Sequence, residues 1–368
     1  MIIVTGAAGF IGSHVAKHFG DKARLLLVDK PEHFRTRRYF LADELSFKDW
    51  ATGQESKEQR HKVIDREYFP KILQAVKAQA PASNAKAKEH VLIPAGEKVE
   101  LVIHLGACTN TAEFRKDFLQ EWNVDYSKTI WSWCSENKVP LIYASSGATY
   151  GNGEEGFSDS HEDSLHLKPM NPYGQSKQDF DLWVLDEIKA GKPTPPKWYG
   201  LKFFNVYGSQ EGHKGSMASA VLHSFRHIQR TGSCKLFRSH NPKVKDGEQS
   251  RDFIHVSDIV SIIDFLAEKL PASGLYNNGT GKARTFYAMM EALFNALSKP
   301  IQVEWMETPE QYRKAYQYFT EARMEKLASV GYKKPFLSLE DGVANYVAWL
   351  LKNEPITASD KIIPKNYN

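Results

Sequence analysis

Tyr173 and Lys177 stand four residues apart in Asn171-Pro-Tyr-Gly-Gln-Ser-Lys177. On a helix that spacing puts both side chains on one face, about one turn apart. A phenol titrates at about pH 10, too high for a general base at neutral pH, and a neighbouring ammonium lowers that value by favouring the phenolate. Lowering it by about three units takes roughly 4 kcal/mol, which a close lysine and a cationic cofactor ring can supply together. Taken alone, Tyr-x-x-x-Lys is also what a surface helix carries by chance. Ser146 adds the third member, at the end of Pro140-Leu-Ile-Tyr-Ala-Ser-Ser146, which reads as a strand. A hydroxyl there can hydrogen-bond the substrate oxygen that Tyr173 deprotonates. Serine, tyrosine and lysine in this order form a constellation for carbonyl/alcohol redox chemistry. Lys214, flanked by Gly212 and Gly215, follows a further strand. It reads as a second acid/base, as a phosphate contact, or as an exposed loop lysine.

The elements that must position these groups begin at the first residues. Ile2–Thr5 reads as a buried strand. It runs into Gly6-Ala-Ala-Gly9-Phe-Ile-Gly12 and then a helical stretch from Ser13 to Phe19. In such a fingerprint the first glycine makes the tight turn, the second admits a pyrophosphate to the backbone, and the third lets helix and strand pack closely. The helix N-terminus offers free N–H groups to the phosphates. A second strand, Leu25–Val28, ends in Asp29, placed to contact a ribose. The reading is a nicotinamide dinucleotide site; the alternative is a glycine-rich turn of another α/β fold. Lys30, Arg35, Arg37 and Arg38 make the next loop basic, which suits a 2′-phosphate, and Arg38 is taken as the contact. Asp29 favours NAD, so the reading is NADP with NAD open, and a plain solvated face is the bland reading of these cations.

Leu101–Leu105 is the next buried strand, followed by Gly106-Ala-Cys-Thr-Asn110. Small residues at a strand's carboxyl end suit a crevice where ligand lies against backbone, so Leu105, Gly106, Ala107, Cys108 and Thr109 count among the cofactor contacts. Cys108 reads as a small packed residue more readily than as a redox thiol. Trp131 and Trp133 read as packing residues. Tyr199–Phe204 is a further strand ending in Asn205-Val-Tyr-Gly208, after which the βα alternation weakens. His223 lies on a helix and reads as packing. Arg251 is suited to a bidentate grip on a diphosphate. Leu275–Gly279 and the aromatic run Tyr312–Phe319 read as closing a smaller domain. Residues 44–100 carry no assigned chemistry: Ser46–Lys62 is polar, Glu67–Ala80 looks helical, and Pro81–Glu89 resembles a surface loop. The tail after Leu351 is polar and reads as frayed. The fold class is therefore α/β, a Rossmann-type doubly wound parallel sheet with a smaller C-terminal α/β substrate domain. The expected division is 1–205, with 45–98 an atypical insertion, and 206–368, with some chain crossing back.

At 368 residues the chain is long enough for a large core. A net charge of +4 lacks the concentrated basic stripe of a nucleic-acid binder. Three cysteines, Cys108, Cys134 and Cys234, show no Cys-x-x-Cys spacing, so neither a disulfide framework nor a metal site is indicated. Met1–Thr5 shows no basic n-region, and no apolar run reaches the roughly 20 residues that span a bilayer. The expectation is a soluble cytoplasmic protein with a small-molecule partner and neither membrane nor nucleic-acid contact.

Together these motifs resemble the extended short-chain dehydrogenase/reductases. Within them the chain is most similar to the ADP-L-glycero-D-manno-heptose 6-epimerase family. The segments that carry the likeness are Gly106-Ala-Cys-Thr-Asn110, Ala144-Ser-Ser-Gly-Ala-Thr-Tyr-Gly151, Phe204-Asn-Val-Tyr-Gly208 and, above all, Glu211-Gly-His-Lys-Gly-Ser-Met-Ala-Ser219. The likeness covers most of 1–45 and 99–350. It fails in about 45–98 and around His240–Gln249, a loop insertion. Arg238 and Ser239 depart from the family after Phe237. The resemblance implies epimerisation at C6 of ADP-D-glycero-D-manno-heptose through a 6-keto sugar, with NADP, in the making of a lipopolysaccharide core precursor. It implies Tyr173 and Lys214 as two bases, Lys177 on the nicotinamide ribose, and Ser146 polarising the carbonyl. It places Phe10, Ile11, Asp29, Lys30, Asn123 and Val206 at the cofactor, and Asn205, Ser216, His223, Phe237, Arg251 and Tyr316 at the substrate. It also implies a homo-oligomer, a pentamer. A UDP-hexose 4-epimerase would show the same triad and remains the alternative, as does a dehydrogenase with net redox turnover. A 4,6-dehydratase would carry an acidic pair where Gly147 and Ala148 stand. A dinucleotide-sensing protein without catalysis would typically have lost the tyrosine or lysine.

Overall fold

The computed structural model describes residues 1–37, 40–47, 59–75, 98–313 and 316–354. Two compact units result. The first comprises Met1–Phe203, Ile259–Asn278 and Arg323–Lys333; the second comprises Phe204–Asp258, Gly279–Ala322 and the described chain from Lys334. Among the described residues the strands are, in chain order, β1 (Ile2–Thr5), β2 (Leu25–Val28), β3 (Leu45–Phe47), β4 (His61–Ile64), β5 (Leu101–His104), β6 (Leu141–Ser146), β7 (Trp198–Phe203), β8 (Asn205–Tyr207), β9 (Cys234–Phe237), β10 (Ser250–His255), β11 (Gly274–Asn278), β12 (Ala283–Thr285) and β13 (Val303–Met306).

The first unit is built on an eight-stranded sheet in the order β11-β7-β6-β5-β1-β2-β4-β3, with every neighbouring pair parallel. Residues of β1, β2 and β5 are buried throughout, as expected of parallel strands covered on both faces, whose sequences run as unbroken aliphatic stretches. From β1 the sheet extends through β2, β4 and β3 on one side and through β5, β6, β7 and β11 on the other. The reversal beside β1 opens a crevice at the strands' carboxyl ends. Gly6, Asp29, Leu105 and Ser146 all stand at that edge. Trp131 and Trp133 sit in the core below, with the Trp131 and Trp198 rings 5.6 Å apart, so their packing role holds.

Two expectations need correcting here. Residues 44–100 were read without strands, yet β3 and β4 lie there. They are short, and His61 and Lys62 hide β4 from a hydrophobic pattern; His61 is fully buried, its Nδ1 accepting from the Leu25 N–H at 3.2 Å. Leu275–Gly279 was read as part of the smaller domain, but β11 pairs with β7 at the edge of the large sheet. The expected helix from Glu67 is present over Phe69–Ala75. Its continuation to Ala80, the loop Pro81–Glu89, Arg38 and the tail from residue 355 lie outside the described residues.

The second unit holds β12-β10-β8 and the pair β13-β9. Helices Ala220–Thr231, Phe286–Ala296 and Leu339–Asn353 pack on a core of Phe225, Met289, Leu293, Val343 and Tyr346. Ser219, Thr285 and Ser338 cap these three helices through their side-chain oxygens. Among the described residues no helix is long and apolar enough to cross a membrane.

Candidate active site

The glycine turn after β1 is crowded enough to require its glycines. Gly6 has φ +67°, and a Cβ there would lie 2.7 Å from the Gly106 nitrogen; a Cβ at Gly12 would lie 2.0 Å from the Gly6 oxygen. Helix Phe10–Gly20 begins at once, with no acidic residue in its first turn. Phe10 is buried, Gly9 and Ile11 half-buried. Asp29 closes β2. Its Oδ2 accepts from the Ala8 N–H at 3.0 Å, its Oδ1 accepts from the Lys30 N–H at 2.8 Å, and His33 Nδ1 lies 2.9 Å from Oδ1. Arg37 Nη1 donates to the Ala8 carbonyl at 2.6 Å, and burial pulls its pKa down while Asp29 and Glu32 push it up. Lys30 Nζ lies 4.0 Å from Glu32. A cradle that admits no Cβ, a helix N-terminus and a carboxylate at the neighbouring strand's end fit a nicotinamide dinucleotide. His33 and Arg37 were not among the expected contacts, although the basic run after Asp29 was the signal for Arg37.

The crevice beyond β5 is fixed by a chain of hydrogen bonds. Leu105, Gly106, Ala107 and Cys108 are half-buried and Thr109 is exposed. Asn123 Oδ1 accepts from the Cys108 N–H at 2.8 Å, and Asn123 Nδ2 donates to the Cys108 carbonyl at 3.1 Å and to Ser176 Oγ at 2.9 Å. Ser176 Oγ in turn donates to the Tyr173 carbonyl at 2.7 Å. Asn123 sits on a π-helical turn, Gln120–Asp125, inside a helical run from Lys116 to Asn137. Such turns are frequent at functional sites. His104 bridges Thr5 Oγ1 at 2.6 Å and Ser127 Oγ at 2.9 Å. Because Ser127 Oγ donates to the Asn123 carbonyl, the network assigns the ring proton to Nε2. Burial, with a smaller push from Lys177, lowers the His104 pKa to about 3.

Ser146, Tyr173 and Lys177 come together within the first unit. Ser146 is the last residue of β6 and caps the turn Gly147–Tyr150, its Oγ accepting from the Ala148 N–H at 3.1 Å. Tyr173 and Lys177 lie on helix Pro172–Lys189, which starts with Pro172 and is capped by Asn171 Oδ1 on the Gly174 N–H at 2.7 Å. All three side chains are buried. Burial raises the Tyr173 phenol above its ordinary value, and a hydrogen bond with Ser146 pulls it down. The lowering expected from Lys177 does not dominate. Its Nζ donates to the Ala144 carbonyl at 2.9 Å, and burial brings its own pKa to about 8, opposed by the Asp181 charge.

In the second unit Lys214 sits on the turn Gly212–Met217, its Nζ 3.8 Å from Glu211 Oε2. Glu211 is fully buried and accepts from the Ser219 N–H at 2.6 Å. Burial lowers the Lys214 pKa and Glu211 opposes it, so Lys214 is not a free loop lysine. Arg251, on β10, and Tyr316 come together: the guanidinium lies 5.6 Å from the Phe286 ring and 5.8 Å from the Tyr316 ring, with Nη1 donating to the Ser250 carbonyl at 2.9 Å. Burial brings its pKa to about 10. Asn205 pairs with Phe253 across β8 and β10 and is exposed; Val206 and Phe237 are half-buried, and Ser216 is exposed. His223 is exposed on its helix rather than packed. His240, in the insertion left unplaced by sequence, joins this group, its ring 5.8 Å from Tyr316 and 5.1 Å from Tyr318. Among the described residues no three His, Cys, Asp or Glu side chains could hold a metal ion.

Comparison with known proteins shows the family and the fold. Residues 2–279 match the profile of the NAD dependent epimerase/dehydratase family. The chain is 39% identical over 371 aligned residues to an ADP-L-glycero-D-manno-heptose-6-epimerase of Fusobacterium nucleatum, covering 96% of this chain and 99% of that one. A second protein of that name, from Nitratidesulfovibrio vulgaris, is 45% identical over 249 residues, 68% of this chain and 76% of that one. The fold matches crystal structures of Helicobacter pylori ADP-L-glycero-D-manno-heptose-6-epimerase, with TM-score 0.68, 23% identity and 95% and 96% coverage, and of Bacillus cereus UDP-glucuronic acid 4-epimerase with UDP-glucuronic acid and NAD, with TM-score 0.68, 20% identity and 95% and 99% coverage. The chain belongs to the NAD-dependent epimerase/dehydratase family and groups within it with the ADP-L-glycero-D-manno-heptose-6-epimerases.

Proposed function

We propose that this protein is an NADP-dependent isomerase that inverts C6 of the heptose in ADP-D-glycero-D-manno-heptose. The observation that carries the reading is the buried Ser146, Tyr173 and Lys177 group at the carboxyl end of the large sheet, in a chain 39% identical along almost its whole length to a protein of that name. The dinucleotide, when bound, supplies the hydride acceptor and then the donor. Gly6, Gly9, Phe10, Ile11 and Gly12 hold its pyrophosphate side, and Leu105 to Thr109 with Asn123 and Val206 line its path. Lys30 and Arg37 beside Asp29 favour the 2′-phosphate of NADP over NAD. In the first half of the reaction Tyr173 as phenolate takes the C6 hydroxyl proton while Ser146 donates a hydrogen bond to the same oxygen. Lys177 holds the ribose and, as an ammonium, favours the phenolate. The sugar then presents its other face as the 6-keto compound, and Lys214 gives the proton that completes the inverted alcohol. Inversion needs proton handling on both faces, which one base does not provide. Arg251, with Tyr316, grips the diphosphate; Asn205, Ser216, His223 and Phe237 complete the substrate contacts. The setting is the cytoplasm, and the product feeds lipopolysaccharide core synthesis.

Proton NMR of ADP-D-glycero-D-manno-heptose with the purified protein and no added cofactor tests this directly. Inversion confined to C6 is expected, since an epimerase regenerates its cofactor within each cycle. The cofactor released by denaturation should have the mass of NADP. No inversion with or without added NADP or NAD, together with turnover of a UDP-hexose at C4, would replace this reading by the 4-epimerase.

A further inference from the structure

Beneath Ser146 lies a charge pair that the chemistry above does not use. Asp181 and Lys202 are fully buried, with Lys202 Nζ 2.8 Å from Asp181 Oδ2. The pair ties four elements together. Asp181 stands on the Tyr173–Lys177 helix, one turn beyond Lys177, and Lys202 stands on β7 directly opposite Ser145 of β6. Ser145 Oγ donates to Asp181 Oδ2 at 2.6 Å and the Tyr143 hydroxyl donates to Oδ1 at 3.1 Å. Lys202 Nζ also donates to Thr149 Oγ1 at 3.0 Å, and Thr149 Oγ1 donates to the Ser146 carbonyl at 2.8 Å. Lys177 in turn donates to the carbonyl of Ala144. The strand segment that delivers the Ser146 hydroxyl is thus held on both sides of Ser146 by groups wired to one ion pair.

A buried ion pair loses two hydration shells. Replacing it with apolar residues of like volume is often neutral or stabilising, so stability is a poor reason for one here. The placement supplies another. Asp181 is the carboxylate that favours the Lys177 ammonium, and Lys202 neutralises part of that carboxylate. Tyr173 precedes Lys177 by one turn, His104 on β5 and Cys108 after it also act on Lys177 or feel its charge, and Tyr143, Tyr150, Asp159, His161 and Lys326 act on the pair. Of these, Asp181 is the formal anion on the Lys177 helix itself.

We propose that Asp181 and Lys202 are positioning residues that fasten the Ser146 strand to the catalytic helix and set the charge state of Lys177. The inference rests on the epimerase reading of Ser146, Tyr173 and Lys177 and adds to it a buried carboxylate, one turn along the same helix, that acts on Lys177. Asp181→Asn removes the carboxylate, so the ammonium of Lys177 is lost at lower pH. Lys202→Met leaves the carboxylate unbalanced, so that ammonium persists to higher pH.

The test is the pH dependence of kcat for the full chain, with trace acetylation of Lys177 by acetic anhydride, read by mass spectrometry, as a measure independent of turnover. The alkaline limb of kcat and the acetylation midpoint should move acidward by about one pH unit in Asp181→Asn and alkaline by clearly less in Lys202→Met, because Lys202 offsets only part of the Asp181 charge, while KM changes little. Because a single variant can fail to fold, the charge-free double variant Asp181→Asn/Lys202→Met is the control. It should fold with a melting temperature near that of the wild type and still show the acidward limb. Wild-type limbs in the folded double variant, or shifts of both single variants in one direction, would overturn the proposal and leave the pair a packing feature. Full activity in Tyr173→Phe would instead remove the reading on which it rests.

Discussion

The two units hold the residues proposed to act in them in opposite ways. In the first, a frame of hydrogen bonds runs along the crevice: Thr5 to His104, His104 to Ser127, and Asn123 to Ser176 and to the Cys108 backbone. Ser146, Tyr173 and Lys177 are buried within this frame. In the second, Asn205, Ser216 and His223 are exposed, and the Arg251 guanidinium makes one hydrogen bond to its own neighbour's carbonyl while lying near two aromatic rings. The difference separates two tasks. A group that transfers a proton must be held within a fraction of an ångström of its place before substrate arrives. A group that recognises a flexible nucleotide sugar keeps its donors open until the ligand fills them.

Substitutions break this contrast in order of size. Tyr173→Phe removes the proposed proton acceptor and should lower kcat by about a thousandfold, while Lys214→Met should lower it by about a hundredfold. Cofactor retention, followed by absorbance of the purified variants, should stay unchanged in both. Retained turnover in either would move that residue from chemistry to binding. Arg251→Ala acts on recognition and should raise KM about 10- to 100-fold, with kcat less affected, for a loss of roughly 1.4–2.7 kcal/mol. A kcat effect equal to that of Tyr173→Phe would erase the distinction between the units. The smallest effect concerns the frame. His104 in the unfolded chain takes a proton below about pH 6.5, but in the folded chain only below about 3. Between those values the unfolded state binds the extra proton, so stability falls as pH drops through that window. Melting temperatures should decline from pH 6.5 downward, and His104→Gln should flatten that decline. An equally steep acid loss in the variant would assign it to other groups.

What could be read from sequence follows from how local each signal is. Strands β1, β2, β5 and β6 were visible because a strand covered on both faces is an unbroken apolar run bounded by small residues. The Tyr173 and Lys177 pair was visible because one helical turn fixes their relation without tertiary information. Strand β4 was not, since His61 and Lys62 break its pattern although His61 is buried. The sheet membership of β11 was not, because its partner β7 lies far away in sequence. His240 was missed for the same reason: its neighbours Tyr316 and Tyr318 come from another stretch, and only their aromatic run gave a hint. Lys202 carries no signal of its own in the sequence, because its partner Asp181 lies on another element and only the fold brings the two together.

The π-helical turn at Gln120–Asp125 has a consequence for chain length. Such a turn holds one residue more than the α-helical path it interrupts. Removing a single residue there would restore uninterrupted α-helix, at a turn of about 100° per residue. The helix on either side would keep its facing, but the side chains inside the turn would be re-aimed, and Asn123 would lose its aim at Cys108 and Ser176. This helix is therefore a place where deletion is more disruptive than substitution, because the spare residue is what gives Asn123 its direction.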